Sequence, residues 1–82
     1  MTNHTFEEVS QILQHINGNN TIPRNIRRAA DESNKILFNE EEDEIVRASA
    51  VVQKLDEISN DPNIPVHART LIYEILAKLE GV

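Results

Sequence analysis

An internal repeat with an offset of 42 residues is the feature that most restricts how this chain folds. Shifting the sequence by that offset aligns identical residues at nine positions, most of them apolar or proline. The aligned pairs are Val9/Val51, Gln11/Gln53, Leu13/Leu55, Ile16/Ile58, Ile22/Ile64, Pro23/Pro65, Arg27/Arg69, Glu32/Glu74 and Leu37/Leu79. A period of this length is typical of repeats that contain two helices.

Within each copy, apolar residues recur every three or four positions on both sides of a short polar segment that ends in Ile-Pro. This spacing predicts amphipathic helices, and no alternating strand pattern occurs. We expect helices near 5–17, 23–38, 42–59 and 65–80. In the third of these, the residues expected to be buried are Ile45, Ala48, Ser49, Val52, Leu55 and Ile58.

The linkers between these helices are short, which favours antiparallel neighbours. The sequence therefore predicts an all-α four-helix bundle that forms a single domain over residues 1–82. One helical hairpin covers about 5–38 and the second about 42–80. The repeat predicts that a pseudo-twofold axis relates them.

The two Ile-Pro pairs are predicted to be structural. Pro23 and Pro65 suit the first turn of a helix, where a backbone N–H has no partner to lose. The isoleucine before each proline, Ile22 or Ile64, can fold back onto the following helix as a hydrophobic staple and should be buried. Gly18 is expected to end the first helix in a left-handed conformation.

Five consecutive acids at 40–44 precede the third helix. A run of adjacent carboxylates points outward and does not converge on a cation as the ligands of a calcium loop do. We therefore interpret the run as a solvated helix start, with Asn39 as the N-cap and the acids near the positive end of the helix dipole.

Composition excludes several classes of protein. The net charge of −6 has the wrong sign for generic nucleic-acid binding, and Phe6, Phe38 and Tyr73 are the only aromatic residues. The chain has no cysteine for disulfides or thiolate metal sites. No apolar run is long enough to span a membrane, and no signal peptide is evident, so we expect a cytoplasmic protein.

The stretches TIPRNIRRAA and LDEISNDPNIPVHARTLIYEILAKLE, with the acid run between them, resemble a family of short archaeal proteins that has no assigned function. The resemblance covers nearly the whole chain and implies an all-helical bundle in an archaeal cytoplasm. Since the family has no established catalytic or binding residues, it assigns none here. The segment Asp-Pro-Asn-Ile-Pro followed by Arg69 also resembles, more loosely, the turn between helices of HEAT-type repeats. In the first copy Asn19 replaces Asp61.

Three arginines, Arg24, Arg27 and Arg28, lie at the start of the second helix. Together they are a candidate contact for an anion or an acidic partner, because guanidinium groups bind phosphate and carboxylate with paired hydrogen bonds. Alternatively, Arg27 and Arg28 form surface ion pairs with Asp31 and Glu32, four residues further on. Because Arg27 recurs as Arg69, we also expect both to support the fold by binding backbone carbonyls or a turn Asp.

No catalytic, cofactor-binding or metal-binding residues are predicted. His4, His15 and His67 are the only histidines, and their spacing does not bring three or four ligands together as zinc requires. The serines lie within helices with no histidine nearby, and with two glycines the chain has no glycine-rich phosphate loop.

Two functions remain open. The first is a small non-catalytic interaction module or adaptor, which binds a protein partner or a second copy of itself. The alternative is an accessory protein that associates with nucleic acid through the basic patch at 24–28. The acidity of the chain and its lack of aromatic stacking platforms favour the first.

Overall fold

A computed structural model describes residues 4–82, and this part of the chain is helical apart from its turns and its C-terminal end. The helices are α1 (His4–Asn17), α2 (Arg24–Leu37), α3 (Glu44–Ser59) and α4 (Val66–Leu79), with no strand among the described residues. The predicted all-α fold is confirmed, and each predicted helix end lies within two residues of the observed end.

The helices pack in a ring. α2 lies against α1 and α3 on one side of the bundle, and α4 lies against the same two helices on the other side. The diagonal pairs, α1 with α3 and α2 with α4, make no close backbone approach. Each linker contains six residues, so successive helices run antiparallel. The turns before α2 and α4 therefore lie at one end of the bundle, and the turn before α3 lies at the other.

One apolar core runs through the ring, and all four helices contribute to it. The buried apolar residues that contact one another are Phe6, Val9, Leu13, Ile16, Ile22, Ile26, Ala30, Leu37, Ala48, Val51, Leu55, Ile64, Ala68, Ile72, Ile75 and Leu79. Most are aliphatic residues spaced three or four apart within a helix, as the amphipathic pattern requires.

The predicted buried face of α3 was partly wrong. Ala48 and Leu55 are buried as expected, but Ile45 is 68% exposed, Ser49 is exposed, and Val51 is buried in their place. Val52 and Ile58 are half-buried at the edge of the core. α3 carries apolar residues on more than one face, so its sequence permits several stripes with helical spacing, and only the position of the neighbouring helices selects one.

All three turns use the same hydrogen bonds. The second linker residue is Asn or Asp, and its side chain accepts a bond from the backbone N–H two residues later, which is the Asx-turn arrangement. The acceptor and donor pairs are Asn19 Oδ1 with Thr21 N (2.9 Å), Asn39 Oδ1 with Glu41 N (3.2 Å) and Asp61 Oδ1 with Asn63 N (2.8 Å). The carbonyl of the same residue accepts the N–H three residues later, from Ile22, Glu42 or Ile64.

This shared turn corrects two predictions. Gly18 does not adopt a left-handed conformation, since no described residue has a positive φ. Its N–H donates a hydrogen bond to the Gln14 carbonyl, and the Asx turn at Asn19 reverses the direction of the chain. Asn39 is not the N-cap of α3. It forms its own Asx turn, and Asp43 precedes the helix without a capping bond from its side chain.

The predicted burial of the two isoleucines before proline is confirmed. Ile22 is 1% exposed and Ile64 is 7% exposed, although both lie in turns. Pro23 and Pro65 each precede their helix in an extended conformation, and each carbonyl accepts N–H groups from the first helical turn. At this end of the bundle, the two isoleucines close the core.

The middle turn differs at this point. Glu42 and Asp43 occupy the positions that hold Ile-Pro in the other two turns, and both are exposed. The two ends of the bundle are therefore unlike: one is closed by buried isoleucines, and the other carries the acid run 40–44 in its turn.

The twofold relation between the hairpins stays a prediction. The turns before α2 and α4 match at the 42-residue offset in their Asx bonds and their buried isoleucines. Two hydrogen bonds also link these turns: Asn25 Nδ2 donates to Asp61 Oδ2 (2.8 Å), and Thr21 Oγ1 lies 3.2 Å from His67 Nε2. Asn25 and His67 are themselves 42 residues apart.

Replacing Ile64 by Ala should lower the free energy of unfolding by about 2–4 kcal/mol, because the truncation leaves a cavity where the isoleucine closes the core. Val66→Ala is the matched control. Val66 is 78% exposed, and its truncation should change stability by less than about 0.5 kcal/mol. Equilibrium unfolding in denaturant measures both, and equal small losses would contradict the staple.

Candidate interaction surface

Arg27 supports the turn that precedes α2. Its Nε donates a hydrogen bond to the carbonyl of Ile22 at 2.9 Å, and its side chain is partly buried. The predicted ion pairs along α2 were wrong. Asp31 pairs with Lys35 at 3.3 Å, and Glu32 pairs with Lys54 of α3 at 3.1 Å. Arg27 is thus occupied by a backbone carbonyl and not by a carboxylate.

Arg47 occupies the same position in α3, and sequence reasoning did not identify it. Its Nη1 donates to the carbonyl of Leu37 at 2.8 Å, and its guanidinium carbon lies 5.4 Å from the centre of the Phe6 ring. The signal lay in the turn and not in the 42-residue repeat: an arginine follows the Asx residue by eight positions in all three units. The three pairs are Asn19/Arg27, Asn39/Arg47 and Asp61/Arg69.

Arg69 completes the series at the start of α4. Its Nε is buried and has no hydrogen-bond partner among the described residues. A buried donor gains free energy from an acceptor, and Arg27 at the equivalent position finds one in the carbonyl of the isoleucine before proline. The structural role predicted for Arg69 therefore has a parallel in two other helices, and its contribution to stability stays a prediction.

The other two arginines of the predicted patch are free. Arg24 and Arg28 are exposed and form no ion pair or hydrogen bond with residues 4–82. Asn25, which lies between Arg24 and Arg27, is held by the carboxylate of Asp61. The basic patch 24–28 therefore offers two unpaired guanidinium groups beside a negative turn.

The histidines do not come together. His67 contacts Thr21 at the Ile-Pro end, and His4 lies 3.5 Å from Glu7 near the start of α1. His15 lines a groove between α1 and α4. Over the described part of the chain, His, Asp and Glu side chains form no group of three or more that could hold a metal ion.

Apolar side chains are exposed around the acid run. Phe38, which directly follows α2, and Ile45 and Val46, in the first turn of α3, are each about half or more exposed. We call these three residues together with 40–44 the acidic–apolar end of the bundle. An apolar cluster rimmed by charge is typical of a surface that binds another molecule.

A groove between α3 and α4 continues from this end. It has a volume of about 360 Å³, and Ile45 belongs both to its lining and to the exposed cluster. The other lining residues are Ala48, Ser49, Val52, Gln53, Asp56, Leu79, Glu80 and Val82. Its surface is mainly apolar, and the charged groups in the lining, Asp56 and Glu80, are both acidic.

A second groove, of about 380 Å³, lies between α4 and α1. An ion pair spans it, since Lys78 Nζ is 3.0 Å from Glu8 Oε2. The hydrogen bond from Lys78 to Glu8 and the charge of that carboxylate raise the pKa of Lys78. Because an ion pair bridges this groove and its lining carries both signs of charge, its surface is less apolar and less uniform in charge than that of the groove between α3 and α4.

These observations define a class: a small antiparallel four-helix bundle with one turn design used three times and one acidic–apolar end. The chain belongs to the uncharacterised protein family UPF0147, whose model matches residues 1–82. It is 65% identical over 82 residues to the UPF0147 protein of Methanothermobacter thermautotrophicus, covering 100% of this chain and 80% of that relative. It is 46% identical over 74 residues to the UPF0147 protein MJ1419 of Methanocaldococcus jannaschii, covering 90% and 80%.

Two solved structures share the fold. The crystal structure of the unknown-function protein MMP1188 matches with a TM-score of 0.92 at 45% identity, over 95% of this chain and 89% of that one. The structure of a UPF0147 protein from Thermoplasma acidophilum matches with a TM-score of 0.91 at 40% identity, over 95% and 92%. The predicted membership of an uncharacterised archaeal family is confirmed, and the family carries no enzymatic assignment.

None of the helices over residues 4–82 is long and apolar enough to cross a membrane. The longest, α3, contains 16 residues and carries charged side chains along its length.

Replacing Arg27 or Arg47 by Ala should each lower the free energy of unfolding by about 1–3 kcal/mol, because a part-buried carbonyl loses a charged donor. The same range is predicted for Arg69→Ala from its repeat of the Arg27 position, although its Nε has no acceptor among residues 4–82. Arg28→Ala is the control, since Arg28 is exposed and unpaired, and it should cost less than about 0.5 kcal/mol. Denaturant unfolding of the four variants decides the matter, and four equally small losses would show that these arginines are surface charges.

Proposed function

We propose that this protein is a small non-catalytic interaction module that binds another protein through its acidic–apolar end. The observation that carries the proposal is the difference between the two ends of the bundle. The turns before α2 and α4 close the core with Ile22 and Ile64, whereas the turn before α3 has Glu42 at the matching position. Around that turn, Phe38, Ile45 and Val46 remain exposed.

Exposing three large apolar side chains in one small region costs solvation free energy, since each buried equivalent would gain about 1.5–3 kcal/mol. The residues do not belong to the core cluster, which at this end contains buried Leu37 and, under Arg47, buried Phe6. A partner that covers them recovers that free energy. The adjacent carboxylates would then select a partner with basic side chains.

A non-catalytic role is supported by the placement of the hydroxyl groups. Ser10 Oγ donates to Asn34 Oδ1 at 2.6 Å, Ser59 Oγ donates to the Asp56 carbonyl at 2.7 Å, and Ser33 is buried. None of these serines lies beside a histidine that could act as a base. The carboxylates of 40–44 are all exposed to solvent.

A second candidate is association with nucleic acid through Arg24 and Arg28. The observation that favours it is that Arg28 does not pair with Glu32, which binds Lys54, so Arg28 stays free on the same helix as exposed Arg24. Two bases neutralise about two phosphates, however, and such contacts weaken steeply with salt. Tyr73 is exposed on α4, but a single aromatic residue gives little stacking. We therefore place this candidate second.

Affinity purification of the tagged chain from an archaeal cell, with and without nuclease, tests the primary proposal. We expect at least one protein to be retained by the wild type and to resist nuclease. It should be lost with the double variant Phe38→Ser/Val46→Ser, because that change removes exposed apolar surface without touching the core. The matched control is Val66→Ser/Tyr73→Ser, which changes two exposed apolar residues elsewhere.

The retained protein is then purified and mixed with each variant to show direct binding. A set of retained proteins that is unchanged by Phe38→Ser/Val46→Ser would contradict the proposal. Retention that nuclease abolishes would favour the second candidate.

The nucleic-acid candidate has its own measurement. Labelled single-stranded and duplex RNA are titrated at about 150 mM salt, where charges are screened beyond ~8 Å, and we expect no micromolar binding. Micromolar binding that is lost in the double variant Arg24→Ala/Arg28→Ala, while the fold stays intact, would establish association with nucleic acid. Arg27 is left unchanged because it holds a turn.

A further inference from the structure

We infer that the groove between α3 and α4 binds a short cationic amphipathic helix of a partner protein. This inference rests on the proposed function and specifies the chemistry of the partner. Three features of the groove support it: its length, its apolar floor and the sign of the charge on its rim.

The α3 side of the groove has the length of a short helix, whereas the other side is limited to Leu79, Glu80 and Val82 at the end of the chain's last helix and just after it. On α3 its lining extends from Ile45 to Asp56, and eleven residues at 1.5 Å per residue span about 16 Å. This length corresponds to about three helical turns of a partner. A volume of about 360 Å³ spread over that length accommodates a row of side chains, as when an amphipathic helix binds in a groove.

The floor of the groove suits apolar anchors. Ala48 and Leu79 form its buried base, and half-buried Val52 lies at the edge of the core. Exposed Ile45 and Val82 flank it at the acidic–apolar end. A partner helix with apolar residues three and four positions apart would place one stripe on this surface.

The charge around the groove selects a basic partner. Asp56 and Glu80 are the charged residues of the lining, and the acid run 40–44 immediately precedes Ile45 in the chain. The nearby bases of α3 are engaged elsewhere: Lys54 pairs with Glu32, and Arg47 binds the Leu37 carbonyl. Lysine or arginine flanking the partner's apolar stripe would meet the carboxylates of Asp56 and Glu80.

The same charges argue against the two other occupants. A second copy also has a net charge of −6, so a symmetric contact through this groove would bring Asp56 and Glu80 against like charges. A nucleic acid is a polyanion and would be repelled. The inference is therefore limited to a cationic helix.

Fluorescence anisotropy with labelled synthetic peptides tests this inference on the full chain at about 150 mM salt. The probe is a peptide of about 14 residues with leucines three and four apart and lysines at the other positions. One control has the same composition with the leucines distributed around the helix. Another carries glutamate in place of lysine. We expect the probe to bind with micromolar Kd and each control to bind at least about tenfold more weakly.

Two variants locate the binding. Ile45→Ser should weaken the probe about tenfold, because Ile45 supplies apolar contact without belonging to the core. Glu80→Gln should weaken it about threefold by removing one rim charge. Val66→Ser and Glu57→Gln, which alter an equally exposed apolar residue and an exposed acid outside the groove, should leave the Kd unchanged. Amide chemical shifts should change along 45–56 and 79–82.

The outcomes are distinguishable. Equal binding of the probe and the redistributed peptide would show general charge attraction and overturn the inference. Concentration-dependent dimerisation that Ile45→Ser abolishes would make a second copy the occupant and also overturn it. If purification yields a partner that Phe38→Ser/Val46→Ser loses but the probe does not bind, the proposed function stands and this inference fails.

Discussion

The hydrogen bonds within three six-residue turns are the interactions on which the rest of this structure depends. In each turn an Asn or Asp side chain fixes the backbone two residues later, and its carbonyl accepts the N–H three residues later. An arginine eight residues after it, in the first turns of the next helix, is observed to reach back to a backbone carbonyl in two of the three cases. Short, hydrogen-bonded connections leave successive helices no arrangement but antiparallel contact. The bundle then follows from burying one apolar face of each helix.

The same turn can carry different residues without changing its backbone, and this separates the two ends of the molecule. Three residues after the Asx position, Ile22 and Ile64 close the core, whereas Glu42 is exposed to water. The Asx bonds do not involve the side chain three residues after the Asx residue. That position can therefore hold either an apolar residue of the core or an exposed charged residue. One end is thus specialised for stability, and the other presents charge beside exposed apolar side chains. The proposed binding function uses only the second.

The helices, their order and the buried isoleucines could be predicted because each depends on local spacing in the chain. The rotation of α3 about its axis could not be predicted, because its apolar residues form several possible stripes. Only the contacts with α2 and α4 determine which stripe is buried. Arg47 was missed because the 42-residue offset pairs the outer turns and passes over the middle one. The ion pairs of α2 were predicted wrongly because spacing along one helix ignores Lys54 on the next helix, which takes Glu32. The rotation of α3 and the pairing of Glu32 depend on contacts between elements, whereas the errors at Gly18 and Asn39 are local and concern which residue of a turn fixes the backbone.

The residues of the proposed surface are different from those that hold the fold, so they can be substituted to test binding while the fold is kept. Ile45 and Val46 lie on the exposed side of the first turn of α3, while Arg47, the next residue, holds the end of α2 and covers Phe6. One turn of helix therefore combines a residue that holds the fold with two apolar residues that lie outside the core cluster. The exposed part of these side chains contributes no burial free energy to the isolated bundle. Their placement is explained if a basic, apolar-faced partner covers them, because such a partner gains from both the apolar contact and the charge.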